Sequence, residues 1–346
     1  MITYFDGKFV DDSEAKISVR ARAVNYGLGC FGGVRGYLAD DGQQVFLFRV
    51  PEHMARLQHS AKVLFMRLPA PHAELCGLVG ELLRRNSCHF DVYVRPLLLN
   101  NSVKLAPVMR EEDSLLTIYC LPLQRYIDKD AIDVCVSSWR RATDSAIPAR
   151  TKPTGLYLNS ALARREAHDN GFDEAIFLTE YGKVSEGSAE HVFIIRDGTL
   201  ISPPSTEDNL DGITRRSLIT LASEDLGLPV LAPSLMGGFL LREGAVILVA
   251  VAVVVQELRA GRHHLVRLDG LRVARALVGQ RFDSRLVLTA LFLQPSQGAE
   301  AGSIAFASLQ KAAPGSRQLQ QANGVAGGGG VKHNMVKPGG QRAVGQ

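Results

Sequence analysis

The stretch A-R-T-K-P-T-G-L-Y-L-N-S, residues 149–160, sets a lysine between two elements of different kind. Upstream, residues 132–138 read as a strand; downstream, 155–168 read as a helix closed by Gly171. Pro153 and Gly155 constrain the backbone around Lys152. A loop lysine is ordinarily a solvated residue. What singles this one out is its company. Tyr157 lies five residues on, and Glu186 thirty-four on, in V-S-E-G-S-A-E-H. Gly212-Ile213-Thr214 opens a later helix, and Arg56 sits on an early amphipathic one.

Working outward, residues 2–5 and 8–10 flank Asp6-Gly7, a hairpin signal. Residues 51–66 place Met54, Leu57, Ala61, Leu64 and Phe65 at helical spacing, with Pro51 in the first turn. A second helix is expected over 72–85 and strands over 91–99 and 115–121, an α+β lobe ending near residue 123. Beyond the lysine, 175–179 reads as a strand, and 191–196 with 199–202 as a hairpin around Asp197-Gly198. Asp211 is expected to cap a helix running to Leu226 and closed by Gly227.

Composition bounds the answer. The chain has 346 residues, 46% hydrophobic and 21% charged, with net charge +4, an ordinary globular balance that points to no nucleic-acid partner. Five cysteines, odd in number and without a CxxC pair, fit neither a disulfide framework nor a zinc site, and no metal is expected. The opening M-I-T-Y-F-D-G-K-F-V lacks a basic-then-apolar leader, and the longest apolar run, 245–255, is too short to span a bilayer. A cytoplasmic protein with no membrane partner is the expectation. Residues 231–346 carry 13 basic and five acidic residues, leaving 26 and 30 for residues 1–230. The first part is therefore net negative and the last strongly positive. From 295 onward the text is rich in Gly, Gln, Ala and Ser, a low-complexity tail expected to be disordered.

The residues gathered around Lys152 each have a job in one kind of chemistry. A lysine that forms a Schiff base needs its amine deprotonated, hence desolvated or near positive charge. A pyridine nitrogen acts as an electron sink when protonated, which asks for a carboxylate beside it. A phenol can bond the cofactor's O3′, and a phosphate seeks helix N-terminal amides and an arginine. Singly, each residue also reads as ordinary: Glu186 as a turn carboxylate, Arg56 as a snorkelling surface residue.

Together these motifs resemble the class IV aminotransferases, the fold-type IV pyridoxal-phosphate enzymes, and among them the branched-chain amino-acid aminotransferases. The resemblance runs over residues 3–230 and rests on seven segments in order. They are Y-G-L-G-C-F-G-G-V-R-G-Y (26–37), R-V-P-E-H-M-A-R-L-Q-H-S-A-K (49–62), Y-V-R-P (93–96), V-S-S-W-R-R (136–141), K-P-T-G-L-Y-L-N-S (152–160), V-S-E-G-S-A-E-H-V-F (184–193) and L-D-G-I-T-R (210–215).

The resemblance implies an α+β, two-domain fold: a small lobe over 1–123 and a larger, β-barrel-like cofactor domain beginning at 132–230. It implies pyridoxal 5′-phosphate carried by Lys152, which also moves the proton of the substrate. Glu186 is then the partner of the ring nitrogen and Tyr157 that of O3′. Arg56, with Gly212, Ile213 and Thr214, is implied for the phosphate. Tyr26, Phe31, Gly33, Tyr93, Arg95 and Tyr126 are implied for the substrate, although an aromatic such as Tyr26 or Phe31 more often packs a core. The implied reaction is transamination between leucine, isoleucine or valine and 2-oxoglutarate, by a homodimer. A D-amino-acid aminotransferase and an aminodeoxychorismate lyase share the fold and stand as alternatives, as does an inactive product with a defective C-terminus.

The pattern breaks in two places. The family often has F-E-G where this chain has Phe31-Gly32-Gly33, and commonly has Asn where His191 stands. After residue 230 the resemblance stops, and the strand and Gly-Thr turn that complete the family's phosphate site are not legible. Residues 231–294 read as a divergent or frame-shifted segment, expected to leave a central strand missing and its neighbour's edge unpaired.

Overall fold

The computed structural model describes residues 1–123 and 132–241, together with the backbone of 246–254, 269–276 and 288–289. Tyr126 and the tail over 295–346 lie outside the described residues.

The first element pair is the expected hairpin, β1 (Ile2–Phe5) and β2 (Lys8–Asp11). Asp6 and Gly7 between them both take positive φ, which a two-residue turn of this hand requires. There follow α1 (Arg22–Tyr26), β3 (Gly29–Phe31), β4 (Val34–Leu38), β5 (Val45–Leu47), α2 (Val50–Val63), α3 (His72–Arg85), β6 (Val92–Asn100) and β7 (Ser114–Pro122). The strands form one antiparallel sheet in the order β2-β1-β7-β6-β4-β5, with β3 also on β6. Met54, Leu57 and Ala61 of α2 and Leu75, Val79 and Leu82 of α3 share one buried cluster with Val92, Val94 and Leu98 of β6. Emptying one such position to alanine costs about 2–5 kcal/mol. Strand alternation sends Tyr93 and Arg95 to the other face of β6, away from this core.

The short strands β3 to β5 and the helix α1 are not legible in the sequence. Five glycines in G-L-G-C-F-G-G-V-R-G dilute any strand pattern, and pairing with the long β6 supplies what local propensity lacks.

The second half comprises β8 (Val134–Arg140), α4 (Tyr157–Asp169), β9 (Glu174–Leu178), β10 (Val184–Gly187), β11 (His191–Arg196), β12 (Thr199–Ile201), α5 (Ile213–Thr220), β13 (Val230–Leu231), β14 (Val246–Val254), β15 (Asp269–Ala276) and β16 (Leu288–Thr289). β8 and β9 run parallel with α4 as their crossover, and β10 completes a three-stranded sheet. The other strands form a six-stranded sheet in the order β13-β12-β11-β14-β15-β16. The two sheets share one core, with Val134, Ile176 and Val184 from the first and Val192, Ile194 and Ile201 from the second.

Two expectations are corrected here. The edge of β11 is not left unpaired: β14 lies antiparallel along it, from His191 opposite Ala250 to Ile195 opposite Val246. The apolar run after residue 244 alternates little, as a strand between two neighbours does, and its backbone groups are used by β11 and β15. Nor does Asp211 cap the last helix. Gly212 is the N-cap residue, extended and without a side-chain bond, and α5 ends at Thr220 before a single π turn, Leu221–Asp225.

Candidate active site

Lys152 stands where the two halves meet. Its carbonyl accepts the Phe31 amide at 3.1 Å, and its own amide donates to Ser60 Oγ at 3.4 Å. Ser60, on α2, in turn donates to the Arg56 carbonyl at 2.8 Å. One buried hydroxyl therefore ties the lysine loop to the helix that carries Arg56. Thr154 closes the other side, its hydroxyl donating to the Gly27 carbonyl at 2.5 Å.

The lysine amine is half-buried among rings. Nζ donates to the Tyr157 hydroxyl at 2.5 Å and lies 4.9 Å from the Phe31 ring centre and 5.1 Å from that of Tyr157. The two rings are 4.8 Å apart. Burial, with Arg56 second, lowers the Lys152 pKa to about 7, while Glu186 opposes the shift. Near neutral pH the amine is thus divided between its free-base and ammonium forms, the condition for a nucleophile that also handles protons. Burial likewise pushes the Tyr157 phenol up to about 12, aided by Glu186, so it keeps its proton.

Glu186 lies on β10 with only 5% of its surface exposed. Arg141 Nη2 meets its Oε1 at 2.6 Å, and the Leu210 amide donates to Oε2 at 3.2 Å. His191 Nδ1 is 3.8 Å from Oε2. Burial, with the cations Arg215, Lys152, Arg56 and Arg141, depresses the His191 pKa to about 3, leaving the ring neutral. That ring packs against Gly212 so closely that a Cβ there would fall 1.8 Å from Nε2. Here glycine is required by space.

Arg56 Nη1 donates to the Asp211 carbonyl at 3.3 Å, which brings α2 to the N-terminus of α5. Arg49 repeats the link, Nη1 donating to Ser217 Oγ at 2.6 Å. Asp211 itself faces Arg216, at 3.8 Å. A cavity of about 370 Å³ opens beside Arg56, walled by Glu52, His59, Arg150, Asp211 and Arg216 among others. The amides of Ile213 and Thr214 begin a helix whose cap offers no side-chain acceptor. With Arg56 this is a place for an anion.

On the opposite side of the lysine, Arg95 Nε donates to Tyr93 OH at 2.9 Å, and its guanidinium lies 4.3 Å over the Phe31 ring. Gly33 makes room, since a Cβ there would sit 2.4 Å from Tyr93 OH. Phe31, Gly33, Tyr93 and Arg95 are thus gathered beside Lys152 and Tyr157. Tyr26 is placed otherwise: its side chain is exposed, and its hydroxyl accepts the Ala106 amide at 3.3 Å, on the 101–110 loop.

Two residues escape sequence reasoning. Arg141 ends the motif V-S-S-W-R-R with an equal neighbour, Arg140, and nothing local says which turns inward; Arg140 is exposed and Arg141 is buried. Ser60 is one serine in a helix, with no signal of its own.

The group these residues fit carries a phosphate, an aldehyde and a ring nitrogen. An uncapped helix start with Arg56, a lysine of pKa about 7 and a buried carboxylate lie on one continuous set of elements. Among the described residues no cluster suits a metal ion, and no helix is long and apolar enough to cross a membrane.

Comparison with known proteins agrees. A sequence model of the family described as "Amino-transferase class IV" matches residues 29–236. The chain is 41% identical over 224 residues to the "Probable branched-chain-amino-acid aminotransferase" of Aquifex aeolicus, covering 64% of this chain and 72% of that one. It is 36% identical over 234 residues to the branched-chain-amino-acid aminotransferase of Escherichia coli, covering 66% and 74%. Among solved structures, the branched-chain aminotransferase of Thermoproteus uzoniensis, crystallised with norvaline, superposes with TM-score 0.68 at 37% identity, covering 72% of this chain and 83% of that one. The T.th. branched-chain amino acid aminotransferase complexed with N-(5′-phosphopyridoxyl)-L-glutamate gives 0.66 at 34% identity, covering 72% and 81%. The family match, the relatives and the fold agree that this chain belongs to the class IV aminotransferases.

Proposed function

We propose that the protein transfers amino groups between branched-chain L-amino acids (leucine, isoleucine and valine) and 2-oxoglutarate, using pyridoxal 5′-phosphate held by Lys152. The observation that carries this reading is the amine of Lys152, held on Tyr157 beside the Phe31 ring and lowered to about pKa 7 by burial and then by Arg56. Bound there, pyridoxal phosphate supplies an electron sink for the negative charge that develops at the substrate Cα.

The chain's own residues do the rest. Lys152, near half-protonated at neutral pH, takes the proton from the substrate Cα and gives one back. Tyr157, which keeps its proton, orients that amine through the 2.5 Å bond. Glu186 presents a fixed carboxylate to the ring nitrogen. Arg56 and the Ile213 and Thr214 amides hold the phosphate.

Phe31 and Tyr93 offer an apolar wall to a branched side chain. Arg95, lying over Phe31, offers a cation to the side-chain carboxylate of an acidic partner, so one pocket serves both substrates in turn. Two relatives support this pairing: one structure contains norvaline, an unbranched aliphatic amino acid, and another a phosphopyridoxyl-glutamate. Tyr126 belongs to the same proposed set. A homodimer in the cytoplasm completes the reading.

The test is a side-by-side assay of L-leucine with 2-oxoglutarate, of D-alanine, and of aminodeoxychorismate. Turnover of L-leucine, isoleucine or valine well above the other two is expected. Turnover confined to D-alanine or aminodeoxychorismate would replace this function with one of the other reactions of the fold. A chain that stays colourless with added pyridoxal phosphate would remove the enzymatic reading altogether.

A further inference from the structure

Arg141 lies one residue beyond the end of β8 and is 6% exposed. Its amide donates to the Leu178 carbonyl at 2.9 Å, which fixes its backbone to β9. Its guanidinium is held on three sides. Nη1 donates to Ser160 Oγ on α4 at 3.2 Å, Nη2 meets Glu186 Oε1 at 2.6 Å, and the group lies 5.2 Å from the Phe177 ring centre. Nε is buried with no hydrogen-bond partner among the described residues.

A guanidinium so placed is costly to bury unless its charge is answered, and so is a carboxylate with 5% exposure. Each answers the other. The Leu210 amide holds the second carboxylate oxygen at 3.2 Å, so Glu186 is constrained from two directions.

We propose that Arg141 is a positioning residue for the reaction: with the Leu210 amide it holds the Glu186 carboxylate in one orientation, so that the ring nitrogen of pyridoxal phosphate would meet a fixed carboxylate. This rests on the reading of Glu186 given above.

The test is a double-mutant cycle on the full-length, cofactor-free chain, titrated with pyridoxal phosphate and followed by visible absorbance across pH. Arg141→Met is expected to weaken binding by about tenfold or more, the loss of one charge-assisted bond, and to move the pH of the absorbance transition. Arg141→Lys, which keeps the charge without the two-armed reach, is expected to recover part of both, and it replaces Arg141→Met in the cycle if the latter does not fold. In a Glu186→Gln background either substitution is expected to change binding less than about twofold, because the group it acts on is gone.

Equal losses in the wild-type and Glu186→Gln backgrounds would make Arg141 a structural residue, acting through Ser160 and Phe177, and overturn the inference. So would an Arg141→Met protein that binds and titrates like the wild type. If Glu186→Gln itself leaves binding and the pH transition unchanged, the reading of Glu186 falls with it. A damaging Glu186→Gln without coupling to Arg141 removes only the present inference.

Discussion

The two ends of the site are built differently. At the lysine end, charged groups meet partners at short distances: Lys152 on Tyr157 at 2.5 Å and Arg141 on Glu186 at 2.6 Å. At the end proposed for the phosphate, Arg56 reaches a backbone carbonyl at 3.3 Å, and α5 starts from Gly212 with no side-chain cap. The difference follows from what each end must do before any ligand arrives. A half-buried amine and a buried carboxylate need internal partners, because an unanswered charge away from water is costly. Amides at a helix start with no side-chain cap keep donors that an anion can use. One end is answered by the protein alone; the other keeps backbone donors without a side-chain cap.

The contrast is open to attack at both ends. The largest effect is expected from Lys152→Met, which should reduce transamination to background and abolish the visible absorbance formed with pyridoxal phosphate; retained turnover would remove Lys152 from its role. The same variant carries a stability signature. With the folded pKa near 7 and the ordinary value at 10.5, the unfolded chain binds the extra proton between those limits. Wild-type stability therefore rises with pH across that window, and the full cost of the buried lysine is present below it. Lys152→Met should raise the Tm of the cofactor-free protein by on the order of 5 °C at pH 6, with the gain shrinking towards pH 10. Thermal melts at the two pH values check the sign.

Next in size is Arg56→Ala. It should weaken pyridoxal phosphate binding by roughly 10- to 100-fold, while binding of pyridoxal, which lacks the phosphate, changes little. A parallel loss for both ligands would mean that Arg56 supports the site as a whole, and the contrast between the two ends would fail.

The smallest effect concerns His191. Its folded pKa is about 3 against the usual 6.5, so the unfolded chain gains a proton first as pH falls through that range. Folded stability is lost over the same interval. His191→Asn, the residue common in the family, should narrow the difference in Tm between pH 7 and pH 4 by a few degrees, roughly 2–4 °C per kcal/mol recovered. An unchanged acid limb would show that other groups dominate it.

Much of this molecule is legible in its residues. The α2 and α3 helices follow from apolar spacing, and α3 spans His72–Arg85 as expected. The hairpins at Asp6-Gly7 and Asp197-Gly198 follow from turn chemistry, with all four residues at positive φ. Lys152, Tyr157, Glu186 and Arg56 are named from motifs, and the fold brings Tyr157 onto the Lys152 amine, with Arg56 and Glu186 near enough to act on its charge. The failures are equally particular. Asp211 looks like a cap, but Gly212 takes the position because His191 leaves no space for a Cβ there. The strands β3 to β5 are hidden by glycines that exist for close approaches, as at Gly33 against Tyr93.

The segment beyond residue 230 teaches the same lesson in reverse. Its composition departs from the rest of the chain, and by text alone it promises an open edge on β11. The run over 246–254 nevertheless supplies a strand for that edge. Backbone pairing asks for an extended apolar segment of adequate length and is indifferent to most side-chain detail.

The sequence by itself determined the family and named Lys152 and its companions as the candidates for its chemistry, because those readings depend on residue types at set spacings along one chain. Only the tertiary structure decided which of two adjacent arginines faces Glu186, which glycine gives way to a histidine ring, and how far the amine of Lys152 is moved towards neutrality. Those outcomes depend on burial and on distances between segments remote in sequence. Desolvation and Coulomb interaction act through space, and no local pattern records them.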